Sequence, residues 1–429
     1  MNLLLLVIDS LRALSLAPGP GRPATPFFDR LSRESLAFSR AYATECWTLP
    51  SHLSLFTGLL PSQHGAHFRA LGYLGRAPTL AEILAREGFR TEAVTRNPVL
   101  DGTIPGALRG FERRTAPIAR LPRLGALPLL LALSKPRLRR QIRETGFFHP
   151  RQVANARFAL DFARRMLPAD AAALDHVLER LAAHRRRGER CFVFCNLFDV
   201  HAPYPPCERS LFEPPRSPRE LADVALALDA LAKIGRHQYL RPGFRMPERG
   251  RRLLLQRYHR AIELMDRKLE RFFAEARGAG LLEDTLVVLT SDHGEAFGEH
   301  GLFLHDASLY EPNIRVPLWI LHPERGAAAV DDVVSLRAVF GLARAAALGL
   351  REPTLLDESF RAAHPVAIAE HFHTPHAREI AGRFRHDQRA AIRRDRKLLL
   401  RAGRAELLDP RGDESSPERV RGARCAAHP

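Results

Sequence analysis

Four places in the chain gather side chains that can bind a cation, move a proton or attack an electrophile. Asp9-Ser10 follows the apolar run Met1–Ile8. Glu45-Cys46-Trp47-Thr48-Leu49-Pro50-Ser51-His52 forms a loop leading into a helical stretch. Asp199-Val200-His201 follows the apolar run Cys191–Phe198, and Ser291-Asp292-His293-Gly294-Glu295 closes another at Thr285–Ser291. Three of the four therefore sit where a strand would end. In an open α/β sheet the strand C-termini point to one edge, where ligands bind. Asp9, Asp292 and His293 could converge there around one ion. Two carboxylates and an imidazole suit a divalent cation such as Zn, Mn, Mg or Ca, with a position left for substrate. Each piece alone also has a plainer reading, because a strand-terminal Asp is often just a helix N-cap.

Thr48 draws its interest from its setting. Pro50 is well placed for the first turn of a helix over 51–57. Thr48 then stands at the helix N-terminus, where orphan N–H groups and the dipole favour an anion. A hydroxyl beside a cation can ionise and attack phosphorus or sulfur. The alternative is that Thr48 simply caps the helix.

The elements that must position these residues follow from periodicity. Strand-length apolar runs occur at Leu3–Asp9, Arg90–Thr95, Cys191–Phe198, Thr285–Ser291, Val316–Leu321 and Val366–Glu370. Helical spacing occurs at Pro26–Phe38, Ser51–Thr57, Thr79–Glu87, Ala171–His184 and Gly250–Arg277. Strands alternating with helices predict an α/β fold, a large and mostly parallel sheet flanked by helices. The expected organisation is a catalytic domain over 1–325 with a helical insertion at about 112–165. A small α+β subdomain over 326–410 and a poorly ordered tail over 411–429 complete it.

The chain has 429 residues, 45% of them hydrophobic and 26% charged. It can bury a sizeable core, which excludes wholesale disorder, collagen and coiled coil. Five cysteines without metal-finger spacing exclude a disulfide scaffold and fit a reducing compartment. The net charge is +17, and lysine occurs only at Lys135, Lys233, Lys268 and Lys397, so the basic residues are overwhelmingly arginine. Spread along the chain, that charge fits an anionic substrate or a membrane surface better than nucleic acid. Met1–Ile8 has no basic start and no small-residue cleavage site, so it reads as a buried strand rather than a signal peptide. No apolar run reaches the about 18–20 residues of a spanning helix. A cytoplasmic location is expected, with an optional peripheral membrane contact through 116–145, where the run 124–133 is flanked by Arg120, Arg123, Arg137, Arg139 and Arg140. His371-Phe372-His373 with His376 could bind a metal, but surface or loop histidines are the favoured reading. The sequence carries no sign of oligomeric state.

Several blocks, in order, resemble the sulfatase family of the alkaline phosphatase superfamily. They are Val7-Ile8-Asp9-Ser10-Leu11-Arg12, Thr25-Pro26-Phe27-Phe28-Asp29, Thr48-Leu49-Pro50-Ser51-His52, Asp199-Val200-His201-Ala202-Pro203-Tyr204, Thr290–Glu295 with Gly298-Glu299-His300-Gly301, and Leu309-Tyr310-Glu311. The likeness covers about residues 2 to 410. It implies an alkaline phosphatase-like fold and one divalent metal held by Asp9, Asp292 and His293, with Thr48 as nucleophile and further ligand. It also implies that His201 and His305 contact the sulfate or phosphate oxygens and protonate the leaving group. His52 and Arg12 would support the substrate side. Asp199 would orient His201, sit near the metal, or serve as a buried loop carboxylate.

The chain departs from the family pattern in ways that bear on the reaction. Family sulfatases carry a Cys or Ser in Cys-x-Pro-x-Arg that becomes formylglycine; here that position is Thr48, and the Arg position is His52. The usual second Asp after Asp9 is Ser10. Threonine cannot give the aldehyde, so a sulfo-threonine lacks the elimination exit of a formylglycine hydrate. A phospho-threonine can be attacked in line. The reading is a metal-dependent hydrolase of phosphate or sulfate esters, phosphodiesters foremost, acting on small-molecule, glycan or lipid-headgroup esters. The alternatives are a sulfatase proper, a phosphoethanolamine- or phosphoglycerol-type transferase, and an inactive glycan-binding homologue.

Overall fold

The computed structural model describes residues 1–102, 104–117, 169–202, 243–305, 307–373 and 382–410, together with positions 204, 226, 229, 230, 378, 414, 418 and 419. Most of the expected 112–165 insertion, the arginine-flanked run 124–133, most of the proline-rich stretch 203–218, His376 and most of the tail lie outside these residues. Among the described residues, no helix is long and apolar enough to cross a membrane.

The first strand, β1 (Asn2–Ile8), shows why the sheet forms where it does. All but its first residue are buried. It runs parallel to β5 (Cys191–Leu197) on one side and β6 (Thr285–Thr290) on the other, with Leu5 opposite Phe194 and Val288. A strand so placed is covered on both faces and reads as a continuous apolar run. Alternate residues divide between two cores. Leu4, Leu6 and Ile8 pack with Val193, Val287 and residues of the helices Asp170–Arg187 and Glu248–Gly278. Leu3, Leu5 and Val7 pack with Phe192, Val288 and residues of the helices Leu80–Arg86 and Ala338–Leu348.

The sheet is completed by β2 (Leu36–Tyr42), β3 (Arg90–Val94), β4 (Arg113–Thr115), β9 (Arg315–Leu321) and β10 (Ala328–Ser335), in the order β10-β2-β9-β6-β1-β5-β3-β4. It is mostly parallel. The exception is β9, antiparallel to both β2 and β6. Among the described residues, the connection from β6 to β9 carries only the short pair β7 (Ala296–Phe297) and β8 (Phe303–Leu304) and brief helical turns. Lacking a crossover helix, it stays at one edge, so the next strand runs back. β10 joins the large sheet although it lies beyond residue 325.

One helix expectation is corrected. The helix expected over Pro26–Phe38 ends at Glu34, and Ser35 is extended at φ −131°. The next segment pairs as β2, with Phe38 and Ala41 in the second core. Pairing with β9 and β10 overrides the local helical spacing. After the Ala338–Leu348 helix, β11 (Ala367–His371), β12 (Gln388–Ile392), β13 (Lys397–Arg401), β14 (Arg404–Leu408) and β15 (Glu418–Arg419) form an antiparallel meander.

Candidate active site

β1, β6, β5 and β3 are parallel, so the residues after them gather at one edge of the sheet. β1 delivers Asp9 and β6 delivers Asp292 and His293. The turn after β1 is tight, with Ser10 in the left-handed region at φ 64°, a conformation that costs a non-glycine residue about 1 kcal/mol or more. Ser10 is held there by two bonds: its N–H donates to Asp292 Oδ1 (3.2 Å), and its carbonyl accepts from the Tyr258 hydroxyl (2.7 Å). The loop after β6 passes so close to residue 312 that a Cβ on Gly294 would lie 2.1 Å from the Pro312 carbonyl oxygen. Only glycine fits there.

Asp9, Asp292 and His293 converge, and all three are fully buried. His293 Nδ1 lies 2.9 Å from the Gly294 carbonyl, which can only accept, so the ring proton is on Nδ1. The lone pair on Nε2 then faces Asp9 Oδ1 (3.7 Å), Asp292 Oδ2 (3.4 Å) and Thr48 Oγ1 (3.4 Å). Burial, then His305, holds the His293 imidazole well below its ordinary range, so it stays neutral. Asp292 Oδ2 is buried and accepts no hydrogen bond. Burial, then the charge of Asp9, drives the Asp292 carboxyl well above the usual range. For Asp9 burial pulls upward but His201, His293, His305 and His52 outweigh it, and its carboxyl lies low. Two acids, a lone pair and an orphan oxygen aimed at one another are the donor set a divalent cation needs. The residues present therefore fit such a cation.

Thr48 is the first residue of the Thr48–Thr57 helix, and Trp47 takes the N-cap position without a side-chain cap bond. Thr48 therefore does not cap the helix. Its hydroxyl is buried against the acid–imidazole cluster instead. Asp9 does not cap a helix either. Its Oδ2 accepts from the amides of Asn97 (2.8 Å) and Asn196 (3.4 Å).

His305 and His201 sit beside the cluster. The His305 ring stacks on His293 at 4.2 Å between centroids, and His201 meets His305 edge-on at 5.1 Å. His305 Nδ1 lies 3.2 Å from Glu295 Oε1, which orients the ring. His201 donates from Nδ1 to the Ala202 carbonyl (2.7 Å), leaving Nε2 available. Burial lowers the His201 pKa despite Asp9. Both rings are only partly buried, so they form the accessible side of the cluster.

His52 lies behind Thr48. It donates from Nδ1 to the Thr48 carbonyl (2.8 Å), and that nitrogen is 3.5 Å from Asp292 Oδ2. Burial takes its pKa to about 4. Arg12 is engaged elsewhere: its guanidinium donates to Glu299 (2.7 Å) and to the Glu295 carbonyl (3.2 Å). It braces the loop that carries Glu295. Asp199 also lies apart from the cluster. It pairs with Arg96 and Lys268 and accepts from the N–H of Ala169 (3.1 Å), so it anchors the loop two residues before His201.

Three residues of the site had no role assigned from sequence. Asn97 follows β3 as Asp9 follows β1, so the same strand-end rule applied past Thr95 finds it. Asn196 is the one polar residue in the run CFVFCNL. Glu295 had only a place in a motif. Of the surface or loop positions expected for His371 and His373, the surface reading is corrected, since both are fully buried. His371 ends β11 of the C-terminal sheet and His373 lies in the loop just after it. β11 docks against the loop before Thr48 through a bond from Glu370 N–H to the Thr44 carbonyl (2.8 Å).

The fold and this cluster define an α/β protein with a candidate metal-dependent esterase site. The sulfatase family model matches residues 1–103 and 139–341, and the chain belongs to that family. A choline-sulfatase of Rhizobium meliloti is 25% identical over 333 residues, covering 75% of this chain. The chain spans 62% of that relative's length. A phosphonate monoester hydrolase from Silicibacter pomeroyi has a similar structure, with a TM-score of 0.61, 18% identity, and coverage of 96% of this chain and 89% of its own. BT1596, a 2-O GAG sulfatase, gives a TM-score of 0.62 at 14% identity, with coverage of 97% and 87%. At these identities the structural likenesses establish the fold alone.

Proposed function

We propose that this protein hydrolyses anionic esters with Thr48 as covalent nucleophile, and that phosphate esters, diesters foremost, are its substrates. The observation that carries this reading is the 3.4 Å contact between Thr48 Oγ1 and the lone pair of His293, inside the pocket formed by Asp9 and Asp292. Asp9, Asp292, His293 and Thr48 would hold one divalent ion, Zn, Mn, Ca or Mg. When bound, such an ion supplies positive charge that favours the ionised hydroxyl and offsets the charge of the ester.

The remaining work falls to this chain's own groups. The first turn of the Thr48–Thr57 helix directs backbone N–H groups toward an anion. Thr48 Oγ1, its proton already released to solvent water, forms a bond to phosphorus as the bond to the leaving oxygen breaks. The leaving oxygen takes a proton from an imidazole. His305 is the better placed of the two, because Glu295 supports the protonated ring. An anionic ester between His201 and His305 raises the proton affinity of both. Water then attacks phosphorus, returns a proton to the imidazole, and the Thr48 oxygen departs. With an alcohol in place of water the same second step is a transfer. The substrate class extends to small, glycan and lipid-headgroup esters.

The names of the relatives favour one second reading, sulfuric ester hydrolysis. Metal-loaded protein offered an aryl phosphodiester, an aryl phosphomonoester and an aryl sulfate separates the two. Diester turnover that disappears in Thr48→Ala is the expected result. Turnover of the sulfate alone refutes the phosphoryl preference. No turnover with tight glycan binding points to an inactive binder.

A further inference from the structure

We propose that Glu45, held by a one-directional hydrogen-bond chain from the C-terminal sheet, positions the Thr48 nucleophile. The role rests on the reading of Thr48 above; the chain itself does not. It starts at Gln388, on β12. Gln388 Oε1 accepts from the Leu309 N–H (3.4 Å), and its Nε2 donates to the Ala307 carbonyl (3.1 Å). These two bonds fix which end of the amide is which. Nε2 also lies 3.0 Å from His373 Nε2, which must therefore accept. His373 then carries its proton on Nδ1, 3.0 Å from His371 Nε2. That nitrogen accepts in turn, so His371 is protonated on Nδ1 and donates to Glu45 Oε1 (2.7 Å). The same oxygen accepts the Cys46 N–H (2.8 Å).

Every side chain of this chain is buried, none more than 1% exposed. Together with the Glu370–Thr44 backbone bond, it ties residues 44 to 46 to β11. Trp47, stacked on Phe68 at 3.9 Å, fills the next position, and Thr48 follows. Phe68 stands edge-on to His371 at 6.0 Å. Buried hydrogen bonds of this kind lock geometry, because opening one leaves a polar group unsatisfied in a low dielectric. A nucleophile displaced by about 1 Å costs on the order of 100-fold in rate.

The ligand atoms of Glu45, Cys46 and His371 lie close enough together to hold an ion, with Cys46 Sγ 3.3 Å from His371 Nδ1. The direction of the chain opposes that use. A metal needs the lone pair of Nδ1, and Nδ1 here carries the proton. Reversing the chain would turn the Gln388 amide and forfeit its bonds to Ala307 and Leu309.

Nitrogen-15 NMR of histidine-labelled protein reads the tautomers directly. Nδ1–H on both His371 and His373 is expected; Nε2–H on either breaks the chain. Kinetics with an aryl phosphodiester reads the role. His371→Leu should lower kcat about 10- to 100-fold at nearly unchanged KM and unchanged metal content. His371→Asn, whose amide nitrogen can stand in for Nδ1, should recover most of it. Glu45→Gln keeps an accepting oxygen and should lose only a few-fold, which provides a reading if the leucine variant does not fold. Equal losses in the leucine and asparagine variants overturn the positioning role. So does a second equivalent of cobalt with a thiolate-to-cobalt absorption band that Cys46→Ser abolishes. Wild-type protein that turns over no ester ends the Thr48 reading and the role with it, while the tautomers still report on the chain.

Discussion

Two buried pairs of carboxylates lie close to adjoining strand ends, one pair including the first residue of the Asp170–Arg187 helix, and they are neutralised differently. Asp170 and Asp199 exchange backbone bonds, with Asp199 N–H donating to Asp170 Oδ2 (2.6 Å) and Asp170 N–H to Asp199 Oδ2 (3.3 Å). Arg96 contacts both, and Lys268 contacts Asp199. Burial pulls the Asp199 carboxyl up, but Arg96 and Lys268 overcome it and hold it low. Asp9 and Asp292 have no such partners among the described residues. They are met by imidazoles, amides and the Ser10 hydroxyl, and Asp292 keeps an oxygen with no hydrogen bond. A buried acid pair with its own arginine and lysine is a strut. One without them is, on the proposal made above, a socket for a cation brought from solution.

The sharpest way to break this contrast is to remove the hydroxyl from the socket. Thr48→Ala should lower kcat/KM for a phosphodiester by about 10⁴-fold or more, the scale on which covalent nucleophiles act. Circular dichroism and unfolding should be unchanged, and steady-state kinetics reads the loss. Removing the guanidinium from the strut should do the reverse. Arg96→Met leaves Asp170 and Asp199 short of a buried partner and should cost about 3–5 kcal/mol in denaturant unfolding, with metal content intact.

Chelation distinguishes the two regions without mutation. Protein freed of divalent ions should lose about 2–3 kcal/mol relative to protein saturated at about 100 times Kd, and re-addition should restore it. In Asp292→Asn the same treatment should change nothing, while in Arg96→Met the loss should persist. Calorimetric melting with and without ion decides this.

The smallest effect is a pH slope behind the socket. His64 is buried, accepts from the Ala66 N–H at Nδ1 (3.1 Å) and lies 3.2 Å from the Pro50 carbonyl at Nε2. Burial lowers its pKa from 6.5 to about 4. The unfolded chain thus binds the proton more readily. The stabilisation is complete above about pH 6.5 and is lost as pH falls through about 4. Unfolding free energy should decline over that window by roughly 3 kcal/mol for this residue, and His64→Asn should flatten the slope.

Much of this was legible in the sequence for a physical reason. A strand buried on both faces is a continuous apolar run, so Leu3–Asp9 and Thr285–Ser291 announce themselves, and the polar residue ending each is conspicuous. Asp9, Asp292 and His293 follow from that pattern and Thr48 from the helix start. β2 was hidden because Leu36–Tyr42 mixes Ser39 and Arg40 into its apolar residues and is held by pairing with β9 and β10 rather than by pattern. The antiparallel course of β9 depends on what the preceding connection lacks, which residue types do not display. The partners of Asp199 were hidden too: Arg96 and Lys268 come from β3's far end and a distant helix. The burial of His371 and His373 depends on a docking between two sheets that neither segment encodes alone.

Diffraction from crystals soaked with manganese or zinc, with the ion located from its anomalous signal, tests the central claim most directly. One ion should lie about 2.0–2.3 Å from oxygens of Asp9 and Asp292 and from His293 Nε2, with Thr48 Oγ1 turned toward it. An ion bound instead at Glu45, Cys46 and His371, or an ion between the acids with the threonine oxygen directed away from it, would contradict the account.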